Sequence, residues 1–165
     1  MSAKNSPVMM DVIFKIQARI EQTQIRGAAQ DFSTDTKLAW LVGRVGNIAQ
    51  TTRRKDAVLD VTCCAFTWLE SLHLSDMDIL QRVADERARQ RELFTAGKHN
   101  FRVDSPVVDW TRKLRVLTEE VGEVAQAIDQ LETSPRSKIL KRYFLTELIQ
   151  VAAVGVAWLE SMEGK

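Results

Sequence analysis

The feature that most limits what this chain can fold into is that part of it occurs twice. Residues 37–50 (KLAWLVGRVGNIAQ) lie over residues 113–126 (KLRVLTEEVGEVAQ) without a gap. The pairs Lys37/Lys113, Leu38/Leu114, Leu41/Leu117, Val45/Val121, Gly46/Gly122, Ala49/Ala125 and Gln50/Gln126 are identical. Further on, Val61 matches Val151, and residues 68–71 (WLES) match residues 158–161. A weaker echo pairs residues 10–13 (MDVI) with residues 77–80 (MDIL). The offset grows from 67 (78 − 11) to 76 (113 − 37) to 90 (158 − 68), so the second copy has longer connections. Three matches in one order point to duplication of a single unit.

The unit is helical. Leu114, Leu117, Val121, Val124, Ile128 and Leu131 recur at alternating spacings of three and four, the apolar stripe of an amphipathic helix. Thr133-Ser134-Pro135 ends that pattern, because proline stops the preceding helix and can begin the next. From about 137 to 162 a second helix runs through Leu145, Leu148, Ile149, Ala152, Val156 and Leu159, with an almost wholly apolar middle that predicts burial on most sides. Each copy reads as three helices: about 8–24, 36–51 and 55–73, then 76–95, 110–132 and 137–162. A hairpin with one apolar stripe cannot bury it alone, so two copies are expected to pack as an antiparallel all-α bundle, a pseudo-dimer within one chain. The two domains are then 8–73 and 76–162. A glycine inside a helix costs about 1 kcal/mol relative to alanine. The matched Gly46 and Gly122 therefore point either to a close helix–helix approach or to glycines that are merely tolerated.

Composition narrows the partners. Hydrophobic residues are 45% and charged residues 27%, an ordinary globular balance, and a net charge of +1 leaves no electrostatic footprint for nucleic acid or a membrane surface. The longest apolar stretch, from Val151 to Leu159, is far short of a membrane span. Residues 1–7 are polar and lead into an amphipathic segment, which does not read as a secretory leader. Cys63 and Cys64 are adjacent and point apart on a helix, so they read as small core residues in a reducing cytoplasm.

The chemistry-bearing residues sit in the second copy. Glu120 and Glu123 are three apart and share a helix face, and Glu147 and Gln150 repeat that spacing on the next helix. Antiparallel packing would bring these four side chains together in the bundle. Crowded carboxylates at low dielectric need a divalent cation or shifted protonation. Oxygen-only ligands suit Mg²⁺ or Mn²⁺, with a phosphate substrate completing the coordination. The plainer alternative is a solvated helix face, against which stand the apolar neighbours Val121, Leu148 and Ile149. In the first copy the counterparts of Glu120, Glu123, Glu147 and Gln150 are Arg44, Asn47, Ala57 and Asp60. One half has lost nearly every acid while keeping its packing residues.

Residues 117–128 (LTEEVGEVAQAI), followed by residues 145–158 (LTELIQVAAVGVAW), resemble the MazG-like all-α nucleoside triphosphate pyrophosphohydrolases. Residues 86–90 (ERARQ) resemble the leading helix of a branch common in phages and actinobacteria. The resemblance covers about residues 77–162; residues 8–73 join it as a degenerate repeat lacking the acidic site. It implies a Mg²⁺ site formed by Glu120, Glu123, Glu147 and Gln150, where the usual second motif ends in Asp rather than Gln. It also implies hydrolysis of a nucleoside triphosphate to the monophosphate and pyrophosphate, with Glu119 or Glu123 orienting the attacking water. Related sequences carry Trp-Gly after the leading helix, where this chain has residues 93–100 (LFTAGKHN). Phe94 is either an aromatic wall for a base or a helix-end core residue. Lys138, Lys141 and Arg142 either steer phosphates or form a solvated basic helix start, and Lys98 and His99 are weaker candidates for the same role.

Two functions follow as expectations. One is a Mg²⁺-dependent nucleoside triphosphate pyrophosphohydrolase, cytoplasmic, with the nucleotide as its partner and neither nucleic acid nor membrane. The other is a catalytically weak or inactive relative that binds nucleotides or proteins through the old bundle. Such a chain stands alone as a pseudo-dimer or pairs again as a homodimer.

Overall fold

A computed structural model describes residues 7–23 and 31–163. All six elements given for these residues are α-helices: α1 (Pro7–Thr23), α2 (Thr34–Gln50), α3 (Arg54–Ser71), α4 (Asp76–Thr95), α5 (Trp110–Thr133) and α6 (Lys138–Glu163). The all-α architecture and the six segments match the helical periodicity to within two or three residues at each end. The cues act where the sequence places them. Ser33 and Ser75 cap α2 and α4 by accepting the Thr36 and Asp78 amides at 3.2 Å.

The arrangement follows from which faces are apolar. Helix α6, apolar nearly all round, lies against α5, α3, α4 and α1. It is long and apolar enough by composition to cross a membrane, yet most of that stretch is buried among its neighbours, the setting of a core helix. Helix α3, buried through most of residues 57–69, packs on α2, α1, α4 and α6. Helices α2 and α5, each with one buried stripe, touch each other and cover the central pair.

Burial recurs at aligned positions. Lys37, Leu41, Val45 and Ile48 are buried on α2, as are Lys113, Leu117, Val121 and Val124 on α5. The buried lysines are satisfied alike: Lys37 Nζ donates to Ser71 Oγ at 2.9 Å, and Lys113 Nζ to Ser161 Oγ at 2.6 Å. Each serine hydroxyl in turn bonds a tryptophan carbonyl, that of Trp68 or Trp158. A buried ammonium without such partners would be costly.

Of the two readings of the matched glycines, the structure supports the tolerated one. A Cβ on Gly46 or Gly122 would meet nothing within 4 Å, so neither marks a close helix approach. Both sit on the outward faces of their helices and are simply tolerated there. The close approach is at Gly155 on α6, where a Cβ would lie 2.3 Å from Thr62 Oγ1. Thr62 is itself held by donating to the Val58 carbonyl at 2.7 Å.

Candidate metal centre

The acidic side chains are set by α5 and α6, the most extensively packed pair of helices. Glu120 and Glu123 leave α5 one turn apart, and Glu147 reaches them from α6. One carboxylate oxygen of each lies within 4.8 Å of the others. Glu147 is 4% exposed. Oε2 of Glu147 and Oε2 of Glu120 are buried without a hydrogen-bond partner. An unsatisfied buried carboxylate oxygen costs several kcal/mol by order of magnitude unless it is protonated or binds a cation. Burial, with Glu123 and Glu147 close by, pushes the Glu120 carboxyl up to about 8. Burial and a hydrogen bond shared with Glu123 push Glu147 up as well. Three acidic groups cannot all ionise in that space without a countercharge.

A fourth carboxylate joins from α4. Glu86 is buried and acts electrostatically on both Glu120 and Glu147. Its oxygens accept Arg89 Nε at 2.6 Å, Arg89 Nη2 at 2.7 Å and Gln90 Nε2 at 3.1 Å.

Beside the carboxylates opens a cavity of about 430 Å³, whose lining includes Glu119, Glu120, Glu123 and Gln150. The lining also includes the cations Arg87, Arg89, Arg91, Lys98 and Arg102 and the amides of Gln90 and Asn100. Leu93, Phe101, Val103, Val116 and Val154 supply apolar lining. The cationic part of the lining is built by the end of α4. Lys98 N donates to the Leu93 carbonyl at 2.9 Å and Gly97 takes φ 71°, a left-handed turn that suits glycine and ends the helix. The chain is then tied back by Asp104, which accepts Arg87 Nη2 at 2.8 Å and Arg102 Nη2 at 2.8 Å. Arg87, 2% exposed, also donates to Glu160 at 2.7 Å. Although burial opposes it, Arg102 and Arg87 hold the Asp104 carboxyl down at about 2. Arg112 lies over the Phe101 ring at 4.4 Å and fixes that aromatic at the cavity edge.

The expected site residues are distributed as follows. Glu120, Glu123 and Glu147 come together, and Glu119, Gln150 and Lys98 line the adjoining cavity. Phe94, 39% exposed, is not on the lining, although Leu93 beside it is. Lys141 lines a separate apolar cavity of about 530 Å³ with Ile128, Leu131 and Phe144. Lys138 and Arg142 are exposed at the start of α6 and line neither cavity. Sequence reasoning gave no role to Glu86 or to the arginines of α4. Their signal was an arginine-rich run from Arg82 to Arg91 in a chain of near-zero net charge.

Compared with family models, curated proteins and solved structures, the chain matches none.

Proposed function

We propose that the chain is a Mg²⁺-dependent nucleoside triphosphate pyrophosphohydrolase built from two fused copies of a MazG-like unit, with its acidic site in the second copy. The observation that carries the reading is the meeting of Glu120, Glu123 and Glu147, with two buried carboxylate oxygens left without partners. The donor set is all oxygen and anionic, which fits Mg²⁺ or Mn²⁺. Glu120, Glu123 and Glu147 would hold the ion, helped by the Gln150 amide carbonyl. When bound, the metal supplies charge neutralisation at the phosphate oxygens and lowers the pKa of a bound water.

The chain's own residues divide the remaining work. Glu119, exposed and on the cavity lining, would take the proton of the water that attacks the α-phosphorus. The bond from that phosphorus to the bridging oxygen breaks, and pyrophosphate leaves with the electron pair. Arg89, Arg91, Lys98 and Arg102 offset charge on the departing phosphates. Leu93, Val116 and Val154 keep part of the cavity dry.

The fused-copy reading is supported by the aligned burial on α2 and α5 and by the paired Lys–Ser hydrogen bonds. Packing between helices pairs off in the same way: α2 with α3 as α5 with α6, and α1 with α3 as α4 with α6.

Gln150 favours a second reading, a weak or inactive nucleotide-binding relative. A neutral amide in place of a fourth carboxylate lowers the attraction for a cation.

The test is pyrophosphate release from a panel of canonical and modified (deoxy)nucleoside triphosphates with Mg²⁺ or Mn²⁺, beside Glu123→Gln. Release that falls by about 100-fold or more in the variant is expected. Well-folded protein that releases none with any nucleotide or metal would leave the binding role in its place.

A further inference from the structure

One of the lining cations stands apart from the others, and the inference it carries rests on the metal reading above. Arg87, Arg91 and Arg102 all reach Asp104, and Arg87 and Arg91 also reach Glu160. Among the described residues Arg89 pairs with Glu86, which it grips through Nε and Nη2 at 2.6 and 2.7 Å. Its side chain is 50% exposed, whereas that of Glu86 is 10% exposed. The charge of Arg89 also bears on Glu120 and Glu147. It lines the cavity as well.

The first half indicates what this place in the unit requires. By the same offsets, Glu86 aligns with Arg19, Glu120 with Arg44 and Gln150 with Asp60. There Arg19 Nε donates to Asp60 at 3.0 Å and Arg44 Nη1 lies 3.5 Å from its other oxygen. The first half thus balances its one carboxylate with two arginines, whereas in the second, where Glu86 stands in the place of Arg19, a half-exposed arginine one turn further on supplies the positive charge.

We propose that Arg89 is the counter-cation of the carboxylate group while no divalent ion is bound, and that it releases Glu86 and turns to the phosphates in the cavity when one binds. Two cations in one cage repel, and of the two the guanidinium has the open path to solvent. Its fork matches a phosphate as well as a carboxylate, so the arginine exchanges one bidentate partner for another. Glu86 keeps a donor after the exchange, because Gln90 Nε2 remains at 3.1 Å from Oε1. Arg89 is thus a positioning residue before metal binding and a phosphate-binding residue after it.

The experiment is calorimetric titration of Mn²⁺ into the whole chain and into Arg89→Met, each then titrated with inorganic pyrophosphate at saturating Mn²⁺. Circular dichroism verifies that the variant is folded, as expected for a half-exposed position in the middle of α4. Removing the competing guanidinium should tighten Mn²⁺ binding about tenfold. Losing its charged hydrogen bonds should weaken pyrophosphate about tenfold or more. Mn²⁺ binding that is unchanged or weaker in Arg89→Met overturns the counter-cation role and leaves the metal reading standing. Tighter Mn²⁺ with unchanged pyrophosphate overturns the transfer to phosphate. An unaltered chain that binds no Mn²⁺ overturns both readings.

Discussion

The two halves of the molecule bury the same stripe of residues and treat charge in opposite ways. On α1, α2 and α3 the charged groups settle among themselves: Arg19 and Arg44 flank Asp60, and all three are partly exposed. On α4, α5 and α6 four carboxylates gather, one of them almost fully buried, and two of their oxygens have no partner. An ion pair open to water contributes little to stability, whereas unpaired buried acids cost a good deal. A fold that could be completed with the first arrangement has no structural need of the second. That contrast is what supports the proposal that the acids serve to bind a cation.

Four changes would break or sharpen that contrast, and the largest effect falls in the second half. Glu120→Gln combined with Glu147→Gln should lower metal-dependent turnover by about 100-fold or more, yet raise the metal-free thermal midpoint at pH 8. Pyrophosphate release and calorimetry read the two effects. A metal-free midpoint that drops would mean the acids hold the fold together.

Next is the pH dependence of the metal-free chain. The folded Glu120 carboxyl stands near 8, above its ordinary value of 4.5. Its protonated form therefore favours folding, and that contribution is complete below the ordinary value and lost as pH rises toward 8. Thermal midpoints should fall by several degrees across that window, and saturating Mn²⁺ should restore them at the alkaline end. Glu120→Gln should flatten the profile.

A smaller effect is expected in the first half. Asp60→Asn leaves two partly exposed arginines without their shared carboxylate and should cost about 1 kcal/mol in denaturant unfolding. Turnover should be unchanged. The smallest change tests the likeness of the halves rather than their difference. Gly46→Ala and Gly122→Ala meet no neighbour, so each should stabilise by about 0.5–1 kcal/mol, and by similar amounts.

Much of this was legible in the sequence because local rules agreed with the packing. The three-and-four spacing from Leu114 to Leu131 and the break at Pro135 gave the helices and their limits. Glu120, Glu123 and Glu147 were legible because their spacing and apolar neighbours left them one place to go. Glu86 was not, because its approach depends on how α4 lies against α6, which no local pattern encodes. Asp104 and Arg102 were hidden for a similar reason: they come from the connection after Gly97, whose path is set by a left-handed turn and a buried ion pair. Lys138, Lys141 and Arg142 showed the limit of charge counting. A basic helix start is easy to read, but the face it presents is decided by the partner helix.

The most direct test is the position of a bound ion. Crystals soaked in Mn²⁺ and measured for anomalous scattering should show a peak among Glu120, Glu123 and Glu147, and none beside Asp60. Well-ordered acidic side chains with no peak between them, or a peak in the first half instead, would contradict the assignment of the metal site to the second copy.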